Sequence, residues 1–503
     1  MKNINIYQMN RRQFIIISTA TAGIALASHQ IFQRIKSEQF SVIKTNDSLD
    51  SQKLIVSKNG LLETTLEANY QTIKLGGNNA YLLTYNGQIP GPRLEAKPGD
   101  KVRIHFVNNL SQPTNLHYHG LHIPPTGKGD NIFLHIKPKE KITYEFEISP
   151  NQLSGIAWYH PHLHGLTAEQ VSGGLAGLFV IRGQLDEIPE IKAAKEEFLV
   201  LQDFALDDEG NLFPSNQMPL MMGREGNIIT VNGQINPSFS IPKNGLLRLR
   251  ILNASSSRFY QLSLENHPFY LIANDGASLE KPVELSELLL TPGERVEVLI
   301  KGDQIPGKYV LRSLPYNRGS MGMMGGMGRM GGMMGNRSGH FSNNQKPIIL
   351  ATINYDSSVN PINLPTQLIP ISSLPEPQKV RQFELNHGMF PGMGMAFLIN
   401  GEPYQEDYIQ TKVTLNTVED WELINTGVMD HPFHVHINKF QIISRNGIPE
   451  PYKTWKDTVL VRRGETVRIR IAFKDFTGKT AYHCHILDHE DLGMMGNLEI
   501  KSS

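Results

Sequence analysis

The chain has 503 residues, of which 40% are hydrophobic, and its 48 lysines and arginines balance its 48 aspartates and glutamates to a formal net charge of zero. This length is too great for one hydrophobic core and predicts about three domains, while the neutral balance gives no support for a nucleic-acid partner or an anionic membrane surface. The single cysteine excludes an intramolecular disulfide and is better suited to a ligand role.

The N-terminal 27 residues have the pattern of an export signal. Asn10-Arg11-Arg12-Gln13-Phe14 opens an apolar stretch that ends at Ala25-Leu26-Ala27. A basic start, a short apolar middle and a small-residue end predict a secretory signal over 1–27, and the arginine pair favours the twin-arginine type. A single membrane anchor is the alternative, although the stretch is shorter than the roughly 20 residues that a span needs. We therefore expect an exported protein, periplasmic or extracellular, with no stable membrane span after signal removal.

The rest of the chain repeats one β unit three times. Related turns contain Asn86, Asn232 and Asn400, and each is followed by a strand that ends in asparagine, at Asn108, Asn253 and Asn425. Gly-Asp or Gly-Glu pairs precede alternating strands, as in an antiparallel sandwich, and helical periodicity is scarce. The sequence predicts three consecutive all-β Greek-key domains over 45–185, 195–355 and 379–503. A charged segment (184–196) and a proline-rich segment (356–378) are the predicted boundaries.

The first repeat carries two His-x-His pairs, His117/His119 and His160/His162. Side chains at i and i+2 of a strand share a face, so the imidazoles of one pair can reach adjacent metal ions. A single pair is more often a surface or stacked pair than a ligand pair. Two pairs here and two more near the C-terminus favour metal binding.

The second repeat has only His267 in its body, which predicts a spacer without metal ligands. It ends in seven methionines among glycines, Met321, Met323, Met324, Met327, Met330, Met333 and Met334. Glycine this dense cannot hold a regular helix or strand, so the run predicts a mobile loop bearing thioethers, which select Cu(I). A low-complexity loop with no ligand role is the alternative.

The third repeat begins with a second methionine cluster, Met389, Met393 and Met395. Further along, Met429-Asp430 directly precedes His431, which is followed by the third His-x-His pair, His434/His436. Soft and imidazole ligands are therefore concentrated in this repeat.

The most informative segment is His483-Cys484-His485, followed by His489 and Met494. A thiolate, two imidazoles and a weak thioether are the ligand set of a blue-copper electron-transfer site. On a strand, Cys484 points to one face and its two neighbours to the other, so one strand can serve two metal centres. A buried structural cysteine beside incidental histidines is the alternative.

With all four motifs in this order, the chain resembles the three-domain multicopper oxidases, the family of laccases, bilirubin oxidases and bacterial cuprous oxidases, over about residues 45 to 503. The resemblance implies three cupredoxin-like domains and four copper ions, of which one is type 1, one type 2 and two type 3. It also implies ligand sets: His431, Cys484, His489 and Met494 for type 1; His117 and His434 for type 2; His119, His160 and His485 for one type 3 ion; and His162, His436 and His483 for the other.

The resemblance further implies acidic residues that supply protons near the three-copper cluster. Asp130, in a loop longer than that of many family members, and Glu490, beside His489, are the catalytic candidates. Solvated surface carboxylates are the alternative for both.

The activity that the resemblance implies is oxidation of a one-electron donor coupled to the reduction of dioxygen to water. In bacterial cuprous oxidases a methionine-rich insert lies over the type 1 copper; here the insert is at the end of the second repeat. The methionine run, with Met429 and Asp430, favours Cu(I) as donor and a role in copper tolerance.

Two alternatives remain open. The first is a laccase-like or bilirubin-oxidase-like enzyme for small phenolic donors. The second is a non-enzymatic periplasmic copper-binding protein, or a scaffold that has lost its coppers; the complete ligand set disfavours the scaffold. A two-domain nitrite reductase is disfavoured because that fold is shorter and lacks four His-x-His pairs.

Overall fold

The computed structural model describes residues 42–43, 52–213, 221–319, 346–391 and 394–502. The predicted export signal over 1–27 and the methionine run over 321–334 lie outside these ranges. No helix within the described ranges is both long and apolar enough to cross a membrane.

The fold is all-β, as predicted, and the described strands form three successive pairs of sheets. The first pair is built from the strands Val42–Ile43, Leu54–Val56, Leu61–Leu75, Asn78–Tyr85, Gly91–Ala96, Lys101–Asn108, His117–His119, Lys141–Glu147, Gly155–His160 and Gly177–Ile181. The second is built from Lys195–Phe204, Ile228–Val231, Ser238–Lys243, Leu246–Asn253, Tyr260–Leu264, Phe269–Asn274, Ala277–Leu285, Leu288–Leu290, Arg295–Lys301, Lys308–Leu314 and Ile348–Ser358. The third is built from Lys379–Phe390, Gly394–Ile399, Thr411–Thr414, Thr417–Asn425, His431–Val435, Phe440–Arg445, Ile448–Pro449, Trp455–Lys456, Thr458–Val461, Thr466–Phe473, Gly478–Cys484 and Met495–Lys501.

Helical structure is limited to short segments. The described helices are Thr167–Ser172, Pro189–Ala193 and Leu487–Asp491, with a 3₁₀ helix at Gln184–Glu187. The 3₁₀ helix and the helix Pro189–Ala193 occupy the charged segment between the first and second pairs of sheets. The helix Leu487–Asp491 follows the Cys484 strand and positions His489.

Each pair of sheets encloses its own hydrophobic core. Phe106 and Tyr144 lie in the first core, Leu249 and Val298 in the second, and Trp421 and Ile469 in the third. Strands such as Lys101–Asn108 alternate exposed and buried residues at their start, as a strand with one face on the core should. The three consecutive all-β domains predicted from the repeats, which the resemblance implies are cupredoxin-like, are therefore confirmed as the fold class.

The repeated turn asparagines perform the same task in each domain. Asn86, Asn232 and Asn400 all have left-handed backbone angles, with φ of 54°, 54° and 55°. Their side-chain oxygens accept hydrogen bonds from the backbone N–H of Glu67, Val200 and Glu384 at 2.7, 2.8 and 2.7 Å. Asparagine tolerates this conformation and can tie its own turn to an earlier strand of the same domain, which explains why the turn recurs.

The strand-end asparagines also recur for a physical reason. Asn108, Asn253 and Asn425 each accept a hydrogen bond from the backbone N–H two residues on, at 2.9, 3.0 and 3.0 Å. Each also donates to two backbone carbonyls of the loop or strand opposite. They replace the ladder hydrogen bonds that are lost where the strand ends.

The sheets bring the histidine motifs together in pairs. The strand His117–His119 is antiparallel to Gly155–His160, with His117 opposite His160. In the third domain His431–Val435 is antiparallel to Gly478–Cys484, with His434 opposite His483 and Phe433 opposite Cys484. The first and third domains thus each present two histidine motifs from neighbouring strands.

Candidate metal centres

The first candidate centre is a triangle of ligand atoms from His431, Cys484 and His489. Cys484 Sγ lies 3.5 Å from His431 Nδ1 and 3.8 Å from His489 Nδ1, and the two nitrogens are 3.3 Å apart. Ligands about 2.0 to 2.3 Å from a metal ion, and spread around it, stand about 3.3 to 3.8 Å from one another. The spacing therefore fits one ion held by two imidazoles and a thiolate.

Local structure places these three side chains. His431 begins its strand, Cys484 ends the neighbouring strand and His489 lies in the helix Leu487–Asp491. Met494 is fully buried in the same core as Cys484, and its carbonyl accepts a hydrogen bond from the Cys484 N–H at 3.0 Å. The Phe397 ring stacks on His489, with centroids 3.7 Å apart. The triangle is enclosed by apolar side chains and a thioether-bearing residue.

A second set of imidazoles converges between the first and third domains. The Nε2 atoms of His162, His436 and His483 lie 3.0 to 3.1 Å from one another. Three ring nitrogens that meet at one point cannot all be satisfied by hydrogen bonds among themselves, whereas one metal ion can bind all three lone pairs. This trio fits a second ion.

The remaining five predicted ligands lie around this trio. The rings of His117 and His436 have centroids 4.1 Å apart, and the rings of His119 and His434 stack at 3.7 Å. His485 lies with its ring centroid 5.1 Å from that of His119 and 5.7 Å from that of His160. All eight histidines of the four pairs therefore face one another in a single cluster.

Buried nitrogens without a hydrogen-bond partner mark where further ions fit. They are His117 Nε2, His119 Nδ1, His160 Nε2, His434 Nε2 and both ring nitrogens of His485. An unsatisfied buried polar group costs about 1 to 3 kcal/mol, so a set of this size is hard to retain without a ligand. Metal ions at the cluster would satisfy these lone pairs.

Burial also sets the charge of these groups. Burial lowers the pKa of His436 and His431 to about 3, and it lowers the pKa of His119, His160, His162, His434, His485 and His489 well below the ordinary value. The rings are therefore neutral, which is the form that binds metals. Burial raises the pKa of the Cys484 thiol, so a metal ion must displace its proton to form the thiolate.

The two centres lie on opposite faces of one strand, as the alternation of side chains predicts. Cys484 contacts His431 and His489, while His483 contacts His162 and His436. The peptide backbone joins Cys484 directly to His483 and His485, so a covalent path connects the two candidate centres.

Asp130 is buried beside the cluster and is not a solvated surface carboxylate. It is 2% exposed, and it accepts hydrogen bonds from His117 Nδ1 at 2.8 Å and from the Tyr118 N–H at 2.9 Å. Burial would raise the pKa of Asp130, but the charges and hydrogen bonds of His117 and His436 outweigh it and lower that pKa. The carboxylate fixes His117 with its Nε2 lone pair towards the cluster.

Glu490 is also buried beside the cluster. Its side chain is fully buried, with Oε2 3.1 Å from His483 Nδ1 and Oε1 3.7 Å from His162 Nδ1. Neither carboxylate oxygen has a hydrogen bond of good geometry within the protein. The surface interpretation is therefore wrong for this residue as well.

The other predicted substrate residues lie in different surroundings. Met429 is fully buried, and Asp430 is 2% exposed and bound by the Tyr316 hydroxyl at 2.8 Å and the Arg463 N–H at 2.9 Å. Met389 is 76% exposed on its strand. Met393 and the seven methionines of the run lie outside the described residues.

The middle domain, predicted as a spacer without metal ligands, contacts both centres. The Met221 carbonyl accepts a hydrogen bond from His489 Nε2 at 3.3 Å. Gly293 has φ of +80°, and a Cβ there would lie 2.6 Å from the His485 ring. A backbone carbonyl and a glycine carry no sequence signal for such contacts.

Comparison with known protein families gives matches in three successive parts of the chain. Family models described as multicopper oxidase match residues 67–186, 196–325 and 374–503. Among solved structures, a multicopper oxidase from Campylobacter jejuni, described as a metallo-oxidase, has a TM-score of 0.78 and 32% identity, with 93% of this chain and 96% of that chain covered.

Curated relatives carry different names. The multicopper oxidase mco of Staphylococcus haemolyticus is 32% identical over 456 residues, 88% of this chain and 89% of that protein. A bilirubin oxidase of Albifimbria verrucaria is 31% identical, with 83% of this chain and 72% of that protein covered. The cell division protein FtsP of Xenorhabdus nematophila is 29% identical, with 84% and 86% covered.

Proposed function

The chain belongs to the multicopper oxidase family, oxidoreductases that use dioxygen as electron acceptor, and we propose that this member oxidises Cu(I) in copper tolerance. The proposal has three parts: the assignment of four copper ions to ligands, the route for electrons and protons, and the identity of the donor. The geometry of the two buried centres supports the first two, and the methionine run supports the third.

The ligand assignment is the one that the family resemblance implies, and the close contacts within two of its four ligand sets support it. His431, Cys484 and His489 would hold the type 1 copper, with Met494 as a further, weak ligand. His117 and His434 would hold the type 2 copper. His119, His160 and His485 would hold one type 3 copper, and His162, His436 and His483 would hold the other. When bound, copper supplies one-electron transfer at the first centre and the reduction of dioxygen at the second.

The residues around the centres have separate tasks. Cys484 and its two neighbours link the donor side to the cluster by a covalent path. Asp130 and Glu490 lie within reach of two ring nitrogens of the cluster, His117 Nδ1 and His483 Nδ1, where they would pass protons to the reaction. A cleft lined by Phe133, His135, Tyr404 and Glu406 reaches His162 from the surface and offers a route for dioxygen.

The observation that carries the choice of Cu(I) is the place where the methionine run leaves the described fold. Gly319, the last described residue before the run, is bridged to Met429, two residues before His431. The Asp430 N–H donates to the Arg318 carbonyl at 2.8 Å, which fixes this exit. The chain that carries seven thioethers therefore departs beside the proposed type 1 centre. Thioethers are soft ligands that select Cu(I) over harder cations.

Deletion of residues 320–335 tests the donor. We expect the rate of oxygen uptake with Cu(I) to fall about tenfold, equivalent to about 1.4 kcal/mol of lost transition-state stabilisation, because soft ligands for the ion are removed. Uptake with a bulky phenol should stay level or rise, because an organic donor does not depend on soft ligands for Cu(I). The measurement is oxygen consumption with each donor, with Cu(I) added from an anaerobic stock and its spontaneous oxidation subtracted.

The matched control for this deletion replaces the seven methionines of the run by leucine. Leucine conserves volume but has no thioether, so the Cu(I) rate should fall as in the deletion while the phenol rate stays unchanged. Equal losses with both donors would show that the run supports the fold. No loss with Cu(I) would leave the laccase-like alternative, which the bilirubin oxidase relative favours.

The axial ligand has its own test, Met494→Leu. This change should keep the blue colour and raise the reduction potential of the type 1 copper, because a weak donor is removed while volume is conserved. Potentiometric titration of the visible band measures the shift. A lower or unchanged potential would assign the axial position to another group, such as Met495, which is 3% exposed.

Export by a twin-arginine-type signal and a periplasmic or extracellular location complete the proposal. The support is the sequence of residues 1–27 alone, with its arginine pair, its short apolar stretch and its small-residue end. A non-enzymatic copper-binding role would need neither a type 1 centre nor an electron path to a second centre, and the contacts described above support both.

A further inference from the structure

Two adjacent residues of the third domain, Asp457 and Thr458, hold one imidazole from each of two domains. Asp457 Oδ1 accepts a hydrogen bond from His119 Nε2 at 2.9 Å, and the Asp457 backbone carbonyl accepts one from His434 Nδ1 at 2.8 Å. The Thr458 hydroxyl lies 3.3 Å from both ring nitrogens. One short segment therefore contacts a ligand candidate of the first domain and one of the third.

These contacts decide which nitrogen of each ring faces the cluster. His119 donates through Nε2, so its lone pair is on Nδ1; His434 donates through Nδ1, so its lone pair is on Nε2. Those two atoms are the ones left buried without a partner. A hydrogen bond on the far nitrogen sets the tautomer and the ring orientation of a metal-binding histidine.

The segment is itself held by the middle domain. Arg295 is fully buried and donates to both oxygens of the Asp457 carboxylate, at 2.7 and 2.6 Å. The Asp275 carboxylate accepts hydrogen bonds from the backbone N–H of Asp457 and of Thr458, each at 3.3 Å. Because its oxygens are already engaged by Arg295 and His119, Asp457 is suited to orient a ligand and not to bind metal itself.

Arg295 also contacts the first domain. Its Nε donates to the Ile156 carbonyl at 3.1 Å. Gly120, which directly follows His119, has φ of +96°, and a Cβ there would lie 2.5 Å from Arg295 Nη2. The absence of a side chain at residue 120 lets the guanidinium reach Asp457 beside His119. The same arginine thus meets groups of all three domains.

We propose that Arg295 is a positioning residue for the three-copper cluster, which acts through Asp457 to orient His119. This inference rests on the proposed copper assignment and gives the middle domain a part in the oxygen-reducing centre. A planar fork with two parallel hydrogen bonds holds a carboxylate in one orientation, whereas a lysine ammonium cannot. Loss of the fork leaves Lys439 Nζ, 2.9 Å from Asp457 Oδ2, as a single-point contact that does not fix the carboxylate plane, so His119 can rotate out of its ligand orientation.

The test is Arg295→Lys in the full, copper-loaded protein. We expect the cluster to bind copper about 10- to 100-fold more weakly, as is usual when the partner of a metal ligand is disturbed. The near-ultraviolet absorption of the coupled type 3 pair should weaken, and more of the bound copper should become visible by EPR. The blue type 1 band should be unchanged, because His431, Cys484 and His489 do not contact Arg295.

The matched control is Arg248→Lys, a buried arginine of the same domain whose fork binds Glu297 and Asp186 and not the cluster. This variant should unfold at a lower temperature yet keep the type 3 signature. Asp457→Asn is the second variant, for the case in which Arg295→Lys does not fold. It keeps the backbone carbonyl that holds His434, so the type 3 signature should change while the type 2 EPR signal remains.

Each outcome decides between the inference and its alternatives. Wild-type type 3 absorption and copper content in both Arg295→Lys and Asp457→Asn would overturn the inference and leave the proposed function standing. Equal changes in the Arg248→Lys control would also overturn it, by showing a general loss of stability. A wild-type protein without copper at the cluster would overturn the copper assignment itself, which separates the two failures.

Discussion

The Cys484→Ser variant is expected to lose the strong visible absorption of the type 1 copper and to fall to background oxygen consumption. The colour arises from charge transfer between the thiolate and the metal, and a serine oxygen does not provide it. Because Cys484 also begins the covalent path to His483 and His485, electrons from any donor lose their route to the cluster. The eight histidines of the cluster keep their contacts, so copper should still bind there.

Absorption spectra, copper content and oxygen uptake together measure this result. Met494→Leu is the matched control, since it alters the same pocket but leaves the three strong ligands and should keep the blue band. A blue band that persists in Cys484→Ser would contradict the assignment of the thiolate. Loss of all copper would show that the two centres depend on each other for folding.

Replacement of His119 and His160 by alanine is the second large effect we expect. Both are fully buried, and each contributes an unpartnered nitrogen to the proposed type 3 site. The double variant should stop reducing dioxygen while its type 1 copper remains reducible. Mixed with a donor in air, it should bleach once and stay colourless, whereas the wild-type protein should regain its colour when the donor is exhausted.

A control for this pair is the replacement of His105 by alanine, since its side chain is 46% exposed and lies outside both centres. That variant should retain the wild-type rate. Continued turnover of dioxygen by the His119 and His160 variant would refute the ligand assignment for the cluster, because two of the three proposed ligands of one ion would be gone.

The fold and most of the candidate ligands could be predicted because their signals are local. A His-x-His pair on a strand shares a face whatever the tertiary structure, and Cys484 between two histidines requires two faces. The turn asparagines likewise mark each repeat, because their left-handed backbone and their hydrogen bond to an earlier strand recur in every domain. Patterns of this kind depend on spacings of a few residues.

The contacts of the middle domain could not be predicted in the same way. Arg295 and Asp457 are 162 positions apart, and neither belongs to a spaced motif. The contacts of Met221 and Gly293 involve a backbone carbonyl and the absence of a side chain, so no residue type signals them. The number of histidines alone therefore predicted a spacer without metal ligands. The contacts of this domain with both centres come from its packing against the other two domains.

If the oxidation of Cu(I) is coupled to the full reduction of dioxygen, the protein must consume the two in a fixed ratio, which can be measured. Anaerobically prepared Cu(I) is added to air-equilibrated wild-type protein, with Cys484→Ser as the blank, while Cu(I), dioxygen and hydrogen peroxide are followed together. We expect about four Cu(I) ions to disappear for each dioxygen, without peroxide. The Cys484→Ser variant should add nothing to the spontaneous rate of Cu(I) oxidation. A ratio of about two with accumulating peroxide, or equal rates in the two proteins, would contradict this coupling.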